Sequence, residues 1–552
     1  MSRQLTLIGL IYLLNFSNVF SQNLKNFNFQ ITEDYLSNLI KDEDPGIAVG
    51  IVHRGEIIFE KYLGYANLEH KVQVDEKTTF NIASNAKQFT ALCVLSLIRE
   101  DKIKLTDDIR DYLPELYPNF KGKITIASLL NHTSGIRDYY ELLALQGITW
   151  WKSFVDNTDA FELITKQEDF NFQPGSDFLY SNSNYILLTE IIARVSGIPF
   201  NEFSKSLFSS LEMPNTTYVT HYGKIIPNRS RPYGNWGEWI DEPTVTEIHG
   251  DGALYTNLRD QLRWESIIQV NDESILSNEI IKLSQKPVDN EFPGYGFGLM
   301  FDSINDVDYN YHIGATSAYN ATFLRLPFEN YSIVVMTNNR NINTTQVTWD
   351  ITYSIFENLS RVKKYPSNPE VVEPFVDNIS LMGYYKSEDG NVIKIVDKDG
   401  LLYREMYQRE PSQLIREKGS LFEYESIENL KMNFRNIGKS DQYFTLYKST
   451  QEPIRYNKLS DFNSKYSSLQ ELEGSYFNKE TNTLIEIKVK EDNSISLTKN
   501  GRERQAELIM KDYLRMMSTY EFMVKRDDSG NVNGLYANNT RIKNVYFEKL
   551  ID

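Results

Sequence analysis

Ser84-Asn85-Ala86-Lys87 places a hydroxyl and an amine three positions apart, the spacing that brings two side chains onto one face of a helix. A serine hydroxyl attacks a carbonyl efficiently only once a base takes its proton. Burial disfavours a charged ammonium, so a buried Lys87 can act as that base. A serine at a helix start also sits beside unsatisfied backbone N–H groups and the positive end of the helix dipole, both of which favour a developing oxyanion. The dyad alone is unselective. Ser84 also reads as a helix cap beside a surface lysine, and the same spacing recurs at Ser360/Lys363 and Ser496/Lys499. The former lies beside a proline-containing stretch. The latter lies in strand-like sequence, where positions three apart point to opposite faces.

Two further groups follow in order: Tyr180-Ser181-Asn182, and His312-Ile313-Gly314-Ala315 just before a strand that begins near Ala318. Together the three resemble the motifs of the serine penicillin-recognising hydrolases, a family of class C β-lactamases, DD-peptidases, D-aminopeptidases and related esterases. The class A form of these motifs is Ser-x-x-Lys, Ser-Asp-Asn and Lys-Thr-Gly. Tyr180 replaces the first serine of the second motif, as in class C enzymes. His312 replaces the lysine of the third, as in DD-peptidases and D-aminopeptidases. Leu129-Leu130-Asn131-His132-Thr133-Ser134-Gly135 and Gly250-Asp251-Gly252-Ala253-Leu254-Tyr255 are similar to framework segments of that family.

The resemblance implies a role for each matching residue. Ser84 attacks and is acylated. Lys87 takes or relays its proton, and Tyr180 protonates the leaving nitrogen or activates the deacylating water; which of the two is the acylation base stays open. Asn182 bonds the substrate's amide. The backbone N–H groups of Ser84 and Ala315 form the oxyanion hole. His312 meets the substrate's carboxylate or leaving group, and Gly314 lets its strand approach closely. An ordinary histidine titrates near pH 6.5, so a charged His312 predicts a bell-shaped kcat/KM profile for carboxylate-bearing substrates. His132 is read as framework because Thr133-Ser134-Gly135 suggests a turn. Tyr180, Asn182 and His312 also have bland readings, as a core aromatic, a helix cap and a strand-end histidine.

The elements that must hold these residues are visible as patterns. Residues 47–64 read as two strands joined at His53-Arg54-Gly55. Residues 84–100 read as a buried helix, with further helices near 184–195, 258–269 and 348–359. Strand character returns from Ala318 to Met336 with a turn near Pro327–Asn330. Strands at both ends with helices between predict an α+β fold, a mainly antiparallel sheet flanked by helices, of the β-lactamase/transpeptidase type. After Ser360 the character changes. Pro366, Pro369 and Pro374 mark a linker, and beyond it Leu381-Met382-Gly383-Tyr384-Tyr385 is echoed by Leu472-Glu473-Gly474-Ser475-Tyr476. That repeat predicts two small all-β, lipocalin-like barrel modules, similar to those appended to D-aminopeptidases. The expected organisation is a signal peptide (1–21), a hydrolase domain (22–360), a linker (361–376) and modules over 377–462 and 466–552.

Composition bounds the remainder. The 552 residues carry 75 acidic and 58 basic side chains, a net charge of −17, which disfavours nucleic-acid and anionic-lipid partners. Arg3 followed by the apolar run Leu5–Phe16 and a small residue at Ser21 reads as a secretory signal cleaved before Gln22, with an uncleaved anchor as the alternative. A periplasmic or secreted protein follows, with no stable membrane insertion after cleavage. The single cysteine, Cys93, excludes an intrachain disulfide and reads as inert packing. Six scattered histidines and no His-Glu-x-x-His argue against metal, and no cofactor is expected. Gly438-Lys439-Ser440-Asp441-Gln442 lacks the last glycine of a nucleophile elbow. The expected function is an exported serine hydrolase that works through an acyl-enzyme on an amide, in a D-residue-containing peptide or a cell-wall fragment. The alternatives are an esterase or β-lactamase of the same fold, and a non-catalytic envelope protein that binds peptidoglycan. The partner is a small-molecule or peptide substrate; sequence does not reach the oligomeric state.

Overall fold

The computed structural model describes residues 27–356, 359, 369–374, 377–388, 391–405, 411–424, 430–448, 451–459, 469–492, 494–516 and 520–550. The signal segment, the Ser360/Lys363 pair and linker positions 361–368 and 375–376 lie outside the described residues. The chain divides into two compact units, Met1–Ala144 with Ile148–Ser360, and Leu145–Gly147 with Arg361–Asp552.

The first unit is built on a seven-stranded sheet. Its strands are β1 (Ile47–His53), β2 (Glu56–Leu63), β3 (Tyr295–Gly296), β4 (Leu299–Ile304), β5 (Val307–Thr316), β6 (Tyr319–Leu326) and β7 (Tyr331–Thr337), in the spatial order β3-β4-β5-β6-β7-β1-β2. Every pairing is antiparallel. β1 and β7 are buried along their whole length, which is why they read as continuous apolar runs. Arg54 and Gly55 turn between β1 and β2 with φ of 53° and 79°, the left-handed pair that a tight hairpin requires.

Helices cover both faces. Ile47, Val49 and Ile51 pack in one cluster with Leu36 of α1 (Gln30–Leu39) and Val347 and Ile351 of a helix at Thr344–Ile355. On the other face, a Cβ at Gly50 would lie 2.6 Å from a Leu262 methyl, so the helix at Leu258–Val270 lies hard against β1. The last helix of the unit runs over 344–355, four positions ahead of the stretch expected from apolar periodicity. Asn343 sets this start by accepting the Gln346 N–H at 3.1 Å.

The second unit holds two closed eight-stranded barrels, from Gly383–Ser387 to Gln451–Lys458 and from Gly474–Asn478 to Val545–Lys549. The sequence echo is also a structural one. Tyr385 donates to Leu381 O at 2.9 Å and Tyr476 to Leu472 O at 2.7 Å. Gly383 and Gly474 take φ of 130° and 133°, and Lys458 and Lys549 pair opposite Tyr385 and Tyr476. The first barrel's interior is filled by side chains such as Met432, Phe434 and Phe444, as a small barrel's must be. Ser496 and Lys499 lie on a strand of the second barrel, Ser496 buried and Lys499 with its ammonium 5.0 Å from the Tyr520 ring centre.

Candidate active site

Ser84 sits in a 3₁₀ turn, Ala83–Ala86, that leads directly into α2 (Lys87–Arg99). Ala83 enters this turn at φ 47°, a left-handed conformation that costs a non-glycine residue energy. The turn is held from the sheet side. Asn85 Nδ2 donates to Ala321 O of β6 at 3.1 Å, and Ala83 N donates to Asn81 Oδ1 at 2.9 Å.

Lys87 is fully buried, and its three N–H donors all have acceptors: Ser84 Oγ at 3.2 Å, Asn182 Oδ1 at 2.9 Å and the Asp251 carbonyl at 2.7 Å. Its Nζ also lies 5.0 Å from the Tyr180 ring centre and 5.5 Å from that of Tyr185. Spacing along the chain thus becomes contact in space, because turn and helix present Ser84 and Lys87 to one side.

Asn182 opens α3 (Asn182–Ser196) and uses both ends of its carboxamide inside the chain. Its Oδ1 accepts from Lys87, while its Nδ2 donates to Asp138 Oδ2 at 2.9 Å. Asp138 Oδ2 also accepts the Asn182 backbone N–H at 2.8 Å. A buried carboxylate thereby fixes the amide that holds the lysine. Sequence reasoning missed Asp138. The nearest sequence signal was the Asn131–Gly135 segment just ahead of it. Asp251 did fall inside a quoted framework segment, but its part here is played by a backbone carbonyl, while its carboxylate accepts from Tyr139 OH at 2.9 Å. Burial first, then the Asp251 charge, holds the Tyr139 phenol well above its usual range, so it stays a donor.

His132 is buried behind Tyr180. Its Nδ1 meets the Ser181 N–H at 3.2 Å and the Asn184 side-chain nitrogen at 3.0 Å, and its ring centre is 4.3 Å from that of Tyr180. It buttresses the tyrosine. Cys93 is fully buried on α2, and burial pushes its thiol well up, which keeps it unreactive.

β5 brings the third motif. Its pairing with β4 stops at Tyr311, while its pairing with β6 runs on to Thr316. From His312 onward one edge of β5 therefore faces the Ser84 turn instead of another strand. A Cβ on Gly314 would fall 2.1 Å from Ile82 O and 2.8 Å from Asn85 Nδ2, so only glycine permits this approach. Ala315, next along, is exposed on the same stretch.

His312 departs from expectation. Its side chain is 1% exposed, its Nδ1 lies 2.9 Å from Ile313 O and its Nε2 lies 3.0 Å from Tyr295 OH. Burial, with the Lys87 charge second, pulls its pKa down to about 3. Tyr295, whose phenol burial holds well above its usual range, is the donor in that pair. His312 is thus neutral across the physiological range, and the alkaline limb expected from a titrating His312 has no basis here. Nothing in the sequence marked Tyr295, which lies 17 positions from His312 on the two-residue strand β3.

A buried amine on a serine hydroxyl, with a glycine-bearing strand closing over the turn, is the arrangement of a serine acyl-transfer site. The chain belongs to the beta-lactamase family, whose profile matches residues 33–351. It is similar to a D-aminopeptidase of Gluconobacter oxydans, 29% identical over 300 residues, covering 53% of this chain and 56% of that protein. Protein flp of Staphylococcus aureus strain MRSA252 is 28% identical over 324 residues, 54% of this chain and 61% of that protein. The chain therefore spans less than two thirds of the length of these curated relatives. In fold it resembles the octameric penicillin-binding protein homologue from Pyrococcus abyssi, at a TM-score of 0.56 and 21% identity over 78% of this chain and 100% of that one. SurE follows at a TM-score of 0.52 and 18% identity, over 78% and 98%.

Proposed function

We propose that this chain is an exported serine hydrolase that is acylated at Ser84 by an amide substrate, a D-residue-containing peptide or cell-wall fragment. The observation that carries the proposal is the 3.2 Å contact between Lys87 Nζ and Ser84 Oγ inside a cradle that matches every donor of the lysine. In acylation the Ser84 Oγ–carbon bond forms and the carbon–nitrogen bond breaks. The serine's proton passes to Lys87 in its neutral amine form or to Tyr180 as its phenolate, and the amine leaves with a proton returned from the same pair. Water then cleaves the ester, releasing a carboxylic acid and free Ser84. The N–H groups of Ser84 and Ala315 stabilise the oxyanion in both steps.

The neutral His312 separates the candidate substrates. It offers no cation at the third motif, which favours substrates without a carboxylate at that point, neutral amides and esters among them. The similarity to a D-aminopeptidase supports the amide reading, and the apolar run at Leu5–Phe16 supports export.

A panel of D-aminoacyl anilides, nitrophenyl esters and a chromogenic cephalosporin tests the proposal. Turnover of the anilides and esters, with the cephalosporin slowest, is expected. A cephalosporin turned over faster than the anilides would remove the amide reading. A folded protein that neither turns over nor is acylated by any of them would be a non-catalytic binder.

A further inference from the structure

A cavity of about 480 Å³ opens in the first unit, lined by one end of α4 (Leu258–Val270), by α5 (Asn278–Ser284) and by the turn joining β6 to β7. It is separate from the Ser84 site. Asn310, which lines it, lies four positions before Gly314 on β5, about 13 Å away at ~3.3 Å per residue.

The charge of its lining runs against that of the chain. Although acidic residues outnumber basic ones by 75 to 58, no Asp or Glu lines the cavity, whereas Lys282, Lys286 and Arg325 do. Arg325 is already satisfied. Glu265 takes two of its donors at 2.7 Å each, and Gln88, Gln285 and Asn310 take the others at 2.8, 3.1 and 3.4 Å. It acts as a wall. Lys282 and Lys286 differ: both are exposed, and neither is paired with a carboxylate among the described residues.

Asn310 supplies the second, independent observation. It is 2% exposed, and its Oδ1 accepts from Arg325. That bond fixes the amide so that Nδ2 points away from the guanidinium, where it donates to no acceptor among the described residues. Asn310 lines the cavity, so this donor is left free for an acceptor that enters it. Around it Ile281, Leu326 and Tyr331 give the cavity apolar walls.

We propose that this cavity is a second ligand site, which takes a small organic carboxylate with an apolar body. The carboxylate supplies the acceptor that Asn310 Nδ2 lacks and the negative charge that Lys282 and Lys286 attract. The body fills the apolar part, and the volume falls in the ordinary range for small-molecule sites. Inorganic anions answer only the charge, and neutral amphiphiles only the walls.

Titration calorimetry on the full chain tests this with 3-phenylpropionate, its neutral amide and inorganic phosphate, in wild type and in Lys282→Glu/Lys286→Glu. Both lysines are exposed and neither belongs to the cluster around Ser84, so the variant is expected to keep its fold and its fluorophosphonate labelling, which are checked alongside. Saturable binding of the carboxylate is expected, at least about tenfold tighter than the amide and reduced at least about tenfold in the variant, with phosphate failing to compete. No saturable binding, equal affinity for the amide, unchanged affinity in the variant, or displacement by phosphate would each overturn the proposal.

Discussion

Behind Ser84 the first unit packs Lys87, Asn182, Asp138, His132 and His312, none more than 2% exposed, whereas the barrel of Gly383–Lys458 fills its interior with Met432, Phe434, Phe444 and their apolar neighbours. Apolar side chains need only shape to be buried favourably, so the barrel can be stable without any specific partner for each atom. Polar side chains lose their water, and burying them costs free energy unless each donor and acceptor is matched. In the first unit the match is long-range: Lys87 finds acceptors 95 and 164 positions away. Such a cluster is justified by chemistry rather than by stability. Among the described residues, the cluster that fills the first barrel is apolar apart from its tyrosine hydroxyls.

The sharpest way to break that contrast is to remove one group from each region. Lys87→Met should slow acylation of Ser84 by about 10²–10⁴-fold, the usual scale for a lost proton-transfer group. Phe434→Ala should cost about 3–5 kcal/mol of stability, because the ring is fully buried, and should leave the acylation rate of the folded protein unchanged. Stopped-flow acylation and denaturant melts on both variants check the pair. Normal acylation by Lys87→Met, or a Phe434→Ala protein as slow as Lys87→Met, would erase the distinction.

A smaller effect comes from His312. Its folded pKa of about 3 lies below the ordinary 6.5. Between those values the unfolded chain binds a proton that the folded chain refuses. The contribution of neutral His312 to stability is therefore complete above about pH 6.5 and is lost as pH falls toward 3, at no more than about 1.4 kcal/mol per pH unit. His312→Gln keeps an acceptor for Tyr295 and removes the titration, so its stability should fall less steeply over that window. Parallel melts from pH 7 to 4 give the comparison. Equal slopes in both proteins, or an imidazole NMR titration near pH 6.5, would contradict a buried neutral histidine.

What could be read from the sequence follows the distance over which each interaction acts. Ser84 and Lys87 are three apart, Tyr180 and Asn182 two, and the Gly383/Gly474 echo is a local turn, so short-range pattern reaches them. Gly314 was legible too, because a missing side chain announces a close approach. Asp138 was not legible, since its role depends on α3 folding back over 44 positions to place Asn182 on it. The charge state of His312 was misread for a related reason. Spacing identifies a residue's place in a motif, but burial under Tyr295 and proximity to Lys87 decide its protonation. The helix start at Thr344 was missed because Asn343 caps it in a stretch whose threonines carry little helical signal.

The account stands most directly on Ser84 as the atom that takes the acyl group. Intact-mass measurement after fluorophosphonate treatment, followed by peptide mapping, reads this in one experiment. A single addition on the peptide containing Ser84, absent from Ser84→Ala, is the predicted result. Labelling that persists in Ser84→Ala and disappears in Ser360→Ala or Ser496→Ala would contradict it.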